Sequence, residues 1–258
     1  MTRIAIVTGA SSGLGWEFVK RIDADEAGPV DEIWAVARRE ERLAALERTC
    51  NTTVRPFCLD LTDPESFDIL DHALAQTPHA AIALLVNNAG FGTFGPLRDQ
   101  SGQDTRNMIK LLMQAPVELI YRSLPYMEQG SRIINIASVA AFLAQPKLAV
   151  YSAAKRFILD ITRSLNAELS EVGIGVTAVC PKFMKTEFLD KPGDTQAAAN
   201  MTVIGFEKAG NVAHAALKAA QRGRDLCIPS WDMKAYYLAA KVLPYQCALS
   251  VERALGIE

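Results

Sequence analysis

Six short runs of β-branched and aliphatic residues recur through the first two-thirds of this chain: RIAIVT (3–8), EIWAVA (32–37), TVRPFCL (53–59), IALLVN (82–87), RIINIA (132–137) and GVTAVC (175–180). Most are close to uniformly apolar, the pattern of strands buried on both faces. Between them lie segments of helical periodicity, among them 40–48, with Leu43 and Leu46 on one side, and 64–75 behind the capping-type pair Thr62 and Asp63. Strand, helix, strand in alternation requires crossover connections, which run right-handed and place helices on both faces of a parallel sheet. The expected fold is therefore α/β, a doubly wound parallel sheet.

Later segments extend the same unit: a helix at 211–222, a last short strand at 225–229, and a helix at 233–255 interrupted near Pro244. No linker or second core is visible, so residues 1–258 read as a single domain. The stretch 186–208, rich in Lys, Pro, Gly, Asp and Asn, reads as a long surface excursion, the kind of loop that serves as a lid over a substrate. The helical segment 233–255 is expected to pack on its own domain or a second subunit rather than on a membrane.

With 27 basic and 29 acidic side chains there is no global field to attract nucleic acid, so any phosphate recognition must be local. No apolar run is long enough to span a bilayer, and the N-terminal MTRIAIVTGAS lacks the charged lead and apolar core of a secretory signal, which points to the cytoplasm. The five cysteines, Cys50, Cys58, Cys180, Cys227 and Cys247, lie far apart without CxxC spacing, so no metal site is expected and most should be buried small hydrophobes.

Open parallel sheets bind ligands at the carboxyl ends of their strands, where Gly9, Asp60, Asn88, Ser138 and Pro181 all fall. The first strand runs into Thr8-Gly9-Ala10-Ser11-Ser12-Gly13-Leu14-Gly15 and then a helical segment from Trp16. Gly9, Gly13 and Gly15 can let the backbone approach a pyrophosphate, while free amides at the helix start offer positive partial charge. This spacing resembles the TGxxxGxG of short-chain dehydrogenases/reductases. The rest of that family's pattern follows in order: Asn87-Asn88-Ala89-Gly90, then Ser138, then Tyr151-Ser152-Ala153-Ala154-Lys155. The likeness covers roughly residues 3–186, and the conjunction is far more specific than any one motif.

The resemblance implies a Rossmann-type single domain and a nicotinamide cofactor. An acidic side chain after the second strand would hold a ribose 2′-hydroxyl and repel a 2′-phosphate; here Ala37, Arg38 and Arg39 stand there, which suits NADP (NADPH). The plainer reading of the two arginines is the solvated start of a helix. By resemblance, Asp60 and Leu61 would meet the adenine, Asn88, Ala89 and Gly90 the adenosine and ribose side, and Thr186 the nicotinamide carboxamide. In the plainer reading Asp60 is a turn residue before Thr62.

Carbonyl reduction needs a hydride and a proton delivered to the oxygen as charge develops on it. Tyr151 can supply the proton. Its phenol has an ordinary pKa of ~10, and Lys155, one helical turn on, can stabilise the phenolate. The family pattern places Ser138 to hold the reacting oxygen. The expected activity is an NADP-dependent oxidoreductase acting on a ketone or secondary alcohol, a hydrophobic one such as a steroid or 3-oxoacyl compound, in a homodimer or homotetramer. Its pocket is expected between Phe94, the 139–145 loop and the 183–188 segment. The alternative is an NADPH-binding sensor with little turnover.

Two departures from the family stand out. Leu112 replaces the asparagine whose main-chain carbonyl, in the family, holds a water linked to the lysine. Pro116, four residues on, cannot donate the helical hydrogen bond to that carbonyl and can leave it free for the same purpose. Lys182 follows Pro181 where the family commonly has glycine.

Overall fold

The computed structural model describes residues 1–184, 205–247 and 250. Among them, seven parallel strands form one sheet: β1 (Thr2–Thr8), β2 (Glu32–Ala37), β3 (Thr53–Cys58), β4 (Ala80–Asn87), β5 (Arg132–Ile136), β6 (Gly175–Val179) and β7 (Leu226–Cys227). Their order is β3-β2-β1-β4-β5-β6-β7. The order reverses between β1 and β4, and a crevice opens where their carboxyl ends diverge. The expected doubly wound Rossmann-type sheet is thus present, each strand within about two residues of its sequence-based bounds. β7 is shorter, two residues instead of five.

Period-two alternation sends Ala5 and Val7 of β1 to one face and Ile4 and Ile6 to the other. On the first face lie the helices α1 (Gly13–Asp23) and α2 (Glu40–Thr49). Phe18, Val19 and Ile22 of α1 pack there on the sheet and on Val212, Ala213, Ala216 and Leu217 of a later helix. On the second face lie α3 (Glu65–Gln76), α4 (Gly102–Ile109), α5 (Ala115–Ser123) and α6 (Ala149–Leu169). Phe67, Leu70 and Leu74 of α3 join Leu119 and Ile120 of α5 in that layer. Two helices complete the fold: α7 (Ala209–Gln221), which packs on α1, and α8 (Trp231–Val242).

The C-terminal helix is interrupted near Pro244 as expected. α8 begins two residues before the expected 233 and breaks after Val242, because Pro244 cannot continue a helix, and residues 245–247 and 250 are helical again. Residues 248, 249 and 251–255 of the expected segment lie outside the described residues. One face of α8 does pack on the domain, through Met233, Tyr236 and Tyr237. The cysteines divide otherwise than expected: Cys180 and Cys227 are buried, but Cys58 and Cys247 are exposed. Cys58 ends β3, the edge strand of the sheet, and is exposed there. Among the described residues no helix is long and apolar enough to cross a membrane.

Between α4 and α5 the chain makes one π-helical turn, Lys110–Gln114, in which the Ala115 amide donates to the Lys110 carbonyl. Pro116 explains it, since its ring would collide with the Leu112 carbonyl in a regular α-helical turn.

A buried polar ladder ties the sheet to α6. The Asn87 amide donates to Asn135 Oδ1 (2.8 Å), the Asn135 amide to Thr162 Oγ1 (2.9 Å), and the Thr162 hydroxyl to the Ile158 carbonyl (2.6 Å). Asn135 is fully buried, so its loss strands donor and acceptor groups that water cannot reach. We expect Asn135→Ala to lower unfolding free energy by about 1–3 kcal/mol in urea titrations with an unchanged m-value. A loss below about 0.5 kcal/mol would show that the ladder holds α6 in name only.

Candidate active site

A cleft of about 540 Å³ opens at the carboxyl ends of β1, β2, β4 and β5. Its floor at one end is the turn from β1 into α1. Gly9 has φ +66° and Gly13 φ +53°, left-handed conformations that favour glycine. A Cβ on Gly9 would lie 2.8 Å from Asn88 Nδ2 and 2.9 Å from Ala89 Cα. Gly9, Ser11, Ser12, Gly13 and Leu14 line the cleft; Gly15 does not. It stands behind the turn, where a Cβ would collide with the Gly9 carbonyl, so its role is close packing. The N-cap residue Ser12 makes no side-chain cap, and the first amides of a helix lack intrahelical partners, so the start of α1 is suited to an anion.

The two arginines after β2 separate clearly. Arg39 reaches back over the turn: its Nε and Nη2 donate to Ser11 Oγ (3.1 and 2.9 Å), and Nη2 also to Ser12 Oγ (2.7 Å). Arg38 is more loosely held, 3.9 Å from Asp60 with its side chain 76% exposed. Both line the cleft, as do Asp60, Leu61, Asn88, Ala89 and Gly90. Asp60 also does what a turn residue does: its Oδ1 accepts from the Thr62 amide and hydroxyl, both at 2.9 Å. Thr186 lies outside the described residues, as do positions 186–204 of the expected lid.

At the other end α6 presents Tyr151 and Lys155 one turn apart, and β5 delivers Ser138 opposite them. The Ser138 hydroxyl is hydrogen-bonded to the Tyr151 phenol and accepts from the Ala140 amide (3.1 Å). Burial pushes Tyr151 up to about 12, with the Ser138 hydrogen bond opposing the rise. Lys155 Nζ donates to the Ile136 carbonyl (2.7 Å) and lies 5.7 Å from the Tyr151 ring centroid. Burial lowers Lys155 to about 8, and nearby Cys180 pulls the other way. The arrangement can hold an oxygen between two hydroxyls, one of them a proton donor, beside a buried cation.

The residues fit a dinucleotide. One cleft runs from the left-handed glycine turn to the Ser138–Tyr151 pair, with a guanidinium laid across two serines at the turn.

Leu112 points inward. It is 2% exposed and packs in a cluster with Met108, Ala154 and Tyr151, and its Cδ2 would lie 2.8 Å from a Cβ on Gly90. Only part of the expected substrate pocket is seen on the cleft: Val139, Phe183 and Met184 line it, with Phe91 in place of Phe94. Phe142 turns away into the core against Tyr236 and Tyr237, and 185–188 lie outside the described residues.

Two supports were not anticipated. Buried Thr8 takes the Asn88 and Ala89 amides on its hydroxyl (2.9 and 3.0 Å), locking the strand after which Asn88 to Gly90 follow to the glycine turn. Asn135 is the other. Its signal was an amide in the middle of an otherwise apolar run, a position that needs partners on a buried strand.

With this geometry in hand, comparison with known proteins is decisive on class. The profile of the short chain dehydrogenase family matches residues 3–197. The chain is 32% identical over 187 residues to an uncharacterized oxidoreductase of Staphylococcus epidermidis, covering 71% of this chain and 79% of that protein. It is 32% identical over 212 residues to sulfoacetaldehyde reductase 2 of Chromohalobacter salexigens, covering 78% and 80%. A short-chain dehydrogenase from Sphingobium yanoikuyae in complex with NADPH superposes with a TM-score of 0.78 at 27% identity, covering 98% of this chain and 96% of that one. The chain belongs to the short-chain dehydrogenase family and is an oxidoreductase of that family.

The buried ammonium has a measurable cost. Lys155 in the folded protein titrates near 8 instead of 10.5, so folding is penalised in full below pH 8 and the penalty fades as pH rises to 10.5. We expect Lys155→Met to raise the stability of the cofactor-free protein at pH 7 by about 1–3 kcal/mol, the lost Ile136 contact offsetting part of the gain. The advantage should vanish above about pH 10.5 in urea titrations across pH; a destabilised variant at pH 7 would reject the assignment.

Proposed function

We propose that this oxidoreductase uses NADP(H) to interconvert a ketone and its secondary alcohol, acting as a single catalytic domain over residues 1–258. The observation that carries the reading is the hydrogen-bonded Ser138–Tyr151 pair, placed on the same cleft as the glycine turn. The bound nicotinamide supplies or accepts the hydride. Tyr151, held protonated by burial, gives its proton to the substrate oxygen during reduction and recovers it in oxidation. Ser138 donates to that oxygen as charge develops, and Lys155 favours the phenolate that forms.

At the other end, Gly9, Ser11, Ser12, Gly13 and Leu14 cradle the pyrophosphate, with Gly15 packed behind them. Asp60 and Leu61 flank the adenine, and Asn88 to Gly90 the adenosine ribose. Preference for NADP is supported by Ala37, which offers no carboxylate to a 2′-hydroxyl, and by Arg39, whose fork already lies over the two serine hydroxyls. A hydrophobic substrate, such as a steroid or 3-oxoacyl compound, is supported by Phe91, Leu111, Val139, Phe183 and Met184 on the lining.

The direct test is NADPH absorbance against steroids, 3-oxoacyl thioesters and small ketones, repeated with NADH. Binding of NADPH without oxidation by any of them would favour a cofactor-sensing protein. Tyr151→Phe keeps the ring and removes the proton, and should cut turnover at least ~100-fold with NADPH affinity nearly unchanged; near-normal turnover would sink the assignment.

The two arginines give a sharper prediction than their sequence positions did. We expect Arg39→Ala to reduce the NADPH-over-NADH ratio of kcat/KM about 10- to 100-fold, the scale of a lost charge-assisted hydrogen bond to phosphate, and Arg38→Ala to reduce it less. A ratio unchanged by Arg39→Ala would leave that residue a brace of the glycine turn and nothing more.

A further inference from the structure

Past Cys180 the chain continues as an extended segment, Pro181 to Met184, that forms the wall of the cleft at the Ser138 end. β7 stops at Cys227, so among the described residues no strand of the sheet runs along the outer side of this wall. Contacts from Glu207 and from α8 hold it instead. The Glu207 amide donates to the Phe183 carbonyl (2.8 Å), and the Lys182 amide donates to Glu207 Oε2 (3.1 Å). The Lys182 ammonium donates to Asp232 Oδ2 (2.8 Å) in the first turn of α8.

The pair is not a surface decoration. The Lys182 side chain is 12% exposed and Asp232 35%, whereas exposed ion pairs elsewhere, such as Arg156–Asp160, are more than half exposed on both sides. Burial works against the Asp232 carboxyl, but Lys182, Ser230 and the Met233 amide together hold it below the usual range.

These contacts close a ring. From Ser138 the chain runs through the 3-10 turn Val139–Ala141 to Phe142, whose ring meets Tyr237 (4.8 Å) and Tyr236 (5.9 Å) of α8. Asp232, in the first turn of α8, holds Lys182; and the Pro181 carbonyl beside Lys182 accepts from the Val139 amide (3.1 Å), next to Ser138 again. Every link but one is backbone or packed aromatic surface. The Lys182–Asp232 ion pair is the link that charge alone makes.

We propose that Lys182 is a positioning residue: its ion pair with Asp232 closes a ring through α8 that fixes the Phe183–Met184 wall relative to Ser138, and so sets the affinity of the site for its carbonyl substrate. Lys182 itself touches neither the proton nor the hydride. Substrate affinity should therefore depend on the pair, and the chemical step should not. The part concerning substrate rests on the proposed ketone reductase activity; the part concerning the wall does not.

The experiment pairs two readouts on the full chain. Amide hydrogen exchange by NMR reports Val139 and Glu207, whose N–H groups are bonded to the wall at Pro181 and Phe183. Steady-state kinetics use the panel carbonyl with the highest turnover. Lys182→Met and Asp232→Asn should each speed exchange at both amides about tenfold and raise KM about tenfold with kcat changed less than about threefold. Lys182→Arg, which keeps the charge and the donor, should stay near wild type in both. Arg156→Met removes a 2.7 Å ion pair to Asp160 and should leave both unaltered. Unchanged exchange in Lys182→Met overturns the ring, whether or not any carbonyl is turned over. A fall in kcat with KM unaltered, or an arginine variant as impaired as the methionine one, overturns the positioning role. Wild-type protein that turns over no carbonyl refutes the reductase activity alone, and exchange still judges the wall.

Discussion

The hydroxyl of Thr8 is the knot from which the cleft is hung. Buried at the end of β1, it donates to the Val86 carbonyl on β4 and accepts the amides of Asn88 and Ala89. The Asn88 side chain returns the contact by donating to the Thr8 carbonyl (2.9 Å). β1 and β4 are the strands between which the sheet reverses its order, so this knot binds together the two chain segments that must part to make a crevice. It also explains why the turn can spare no side chain. With Asn88 and Ala89 drawn in this close, Gly9 has no room for a Cβ, and Gly15 backs onto the Gly9 carbonyl. The glycines are fixed as much by protein packing as by any ligand.

What the sequence disclosed and what it hid follow from range. The strands were legible because burial on both faces leaves a local apolar signature, and the glycine turn, Asn88 and the Tyr151–Lys155 spacing because each is a short motif on one element. Ser138 was placed by its order along the chain, and β5 does deliver it to Tyr151. The division of labour between Arg38 and Arg39 was not legible. Neighbours in sequence point differently off a strand end, and only the tertiary fold shows which meets Ser11 and Ser12. That Phe91 and not the expected Phe94 lines the cleft has the same cause: in a loop no periodicity says which ring turns inward. The Asn87–Asn135–Thr162 ladder joins residues up to 75 positions apart, and Lys182 meets a carboxylate 50 positions away. Nothing local encodes such pairings, although a polar side chain amid an apolar run does announce that a partner must exist.

The two ends of the cleft are organised by different physics, and they respond to change differently. At the glycine turn the determinants are steric and main-chain: left-handed dihedrals at Gly9 and Gly13, and helix-start amides whose partial charge does not titrate. That end is intolerant of added volume. At the Ser138 end the determinants are buried ionisable groups, with Tyr151 raised to about 12 and Lys155 lowered to about 8. Burial disfavours both charged forms, so the folded chain alone holds Tyr151 as the neutral phenol, while Lys155, lowered only to about 8, keeps its charge at neutral pH at a cost.

It follows that the protein stores electrostatic strain at the reaction end that a positive charge entering the cleft would partly relieve for the phenolate. Among the described residues Lys155 has no carboxylate counter-charge, and its one direct hydrogen bond is to the Ile136 carbonyl. In the proposed reaction that charge would be available to a developing phenolate rather than neutralised by a carboxylate, which would give burial of an amine at a net cost to folding its reason. The Asn87–Asn135–Thr162 ladder acquires its purpose in the same argument. The helix that carries the pair is tied to the sheet by directional contacts, buried amides running from β4 through β5 into α6, which hold one relative orientation where apolar packing alone is less particular.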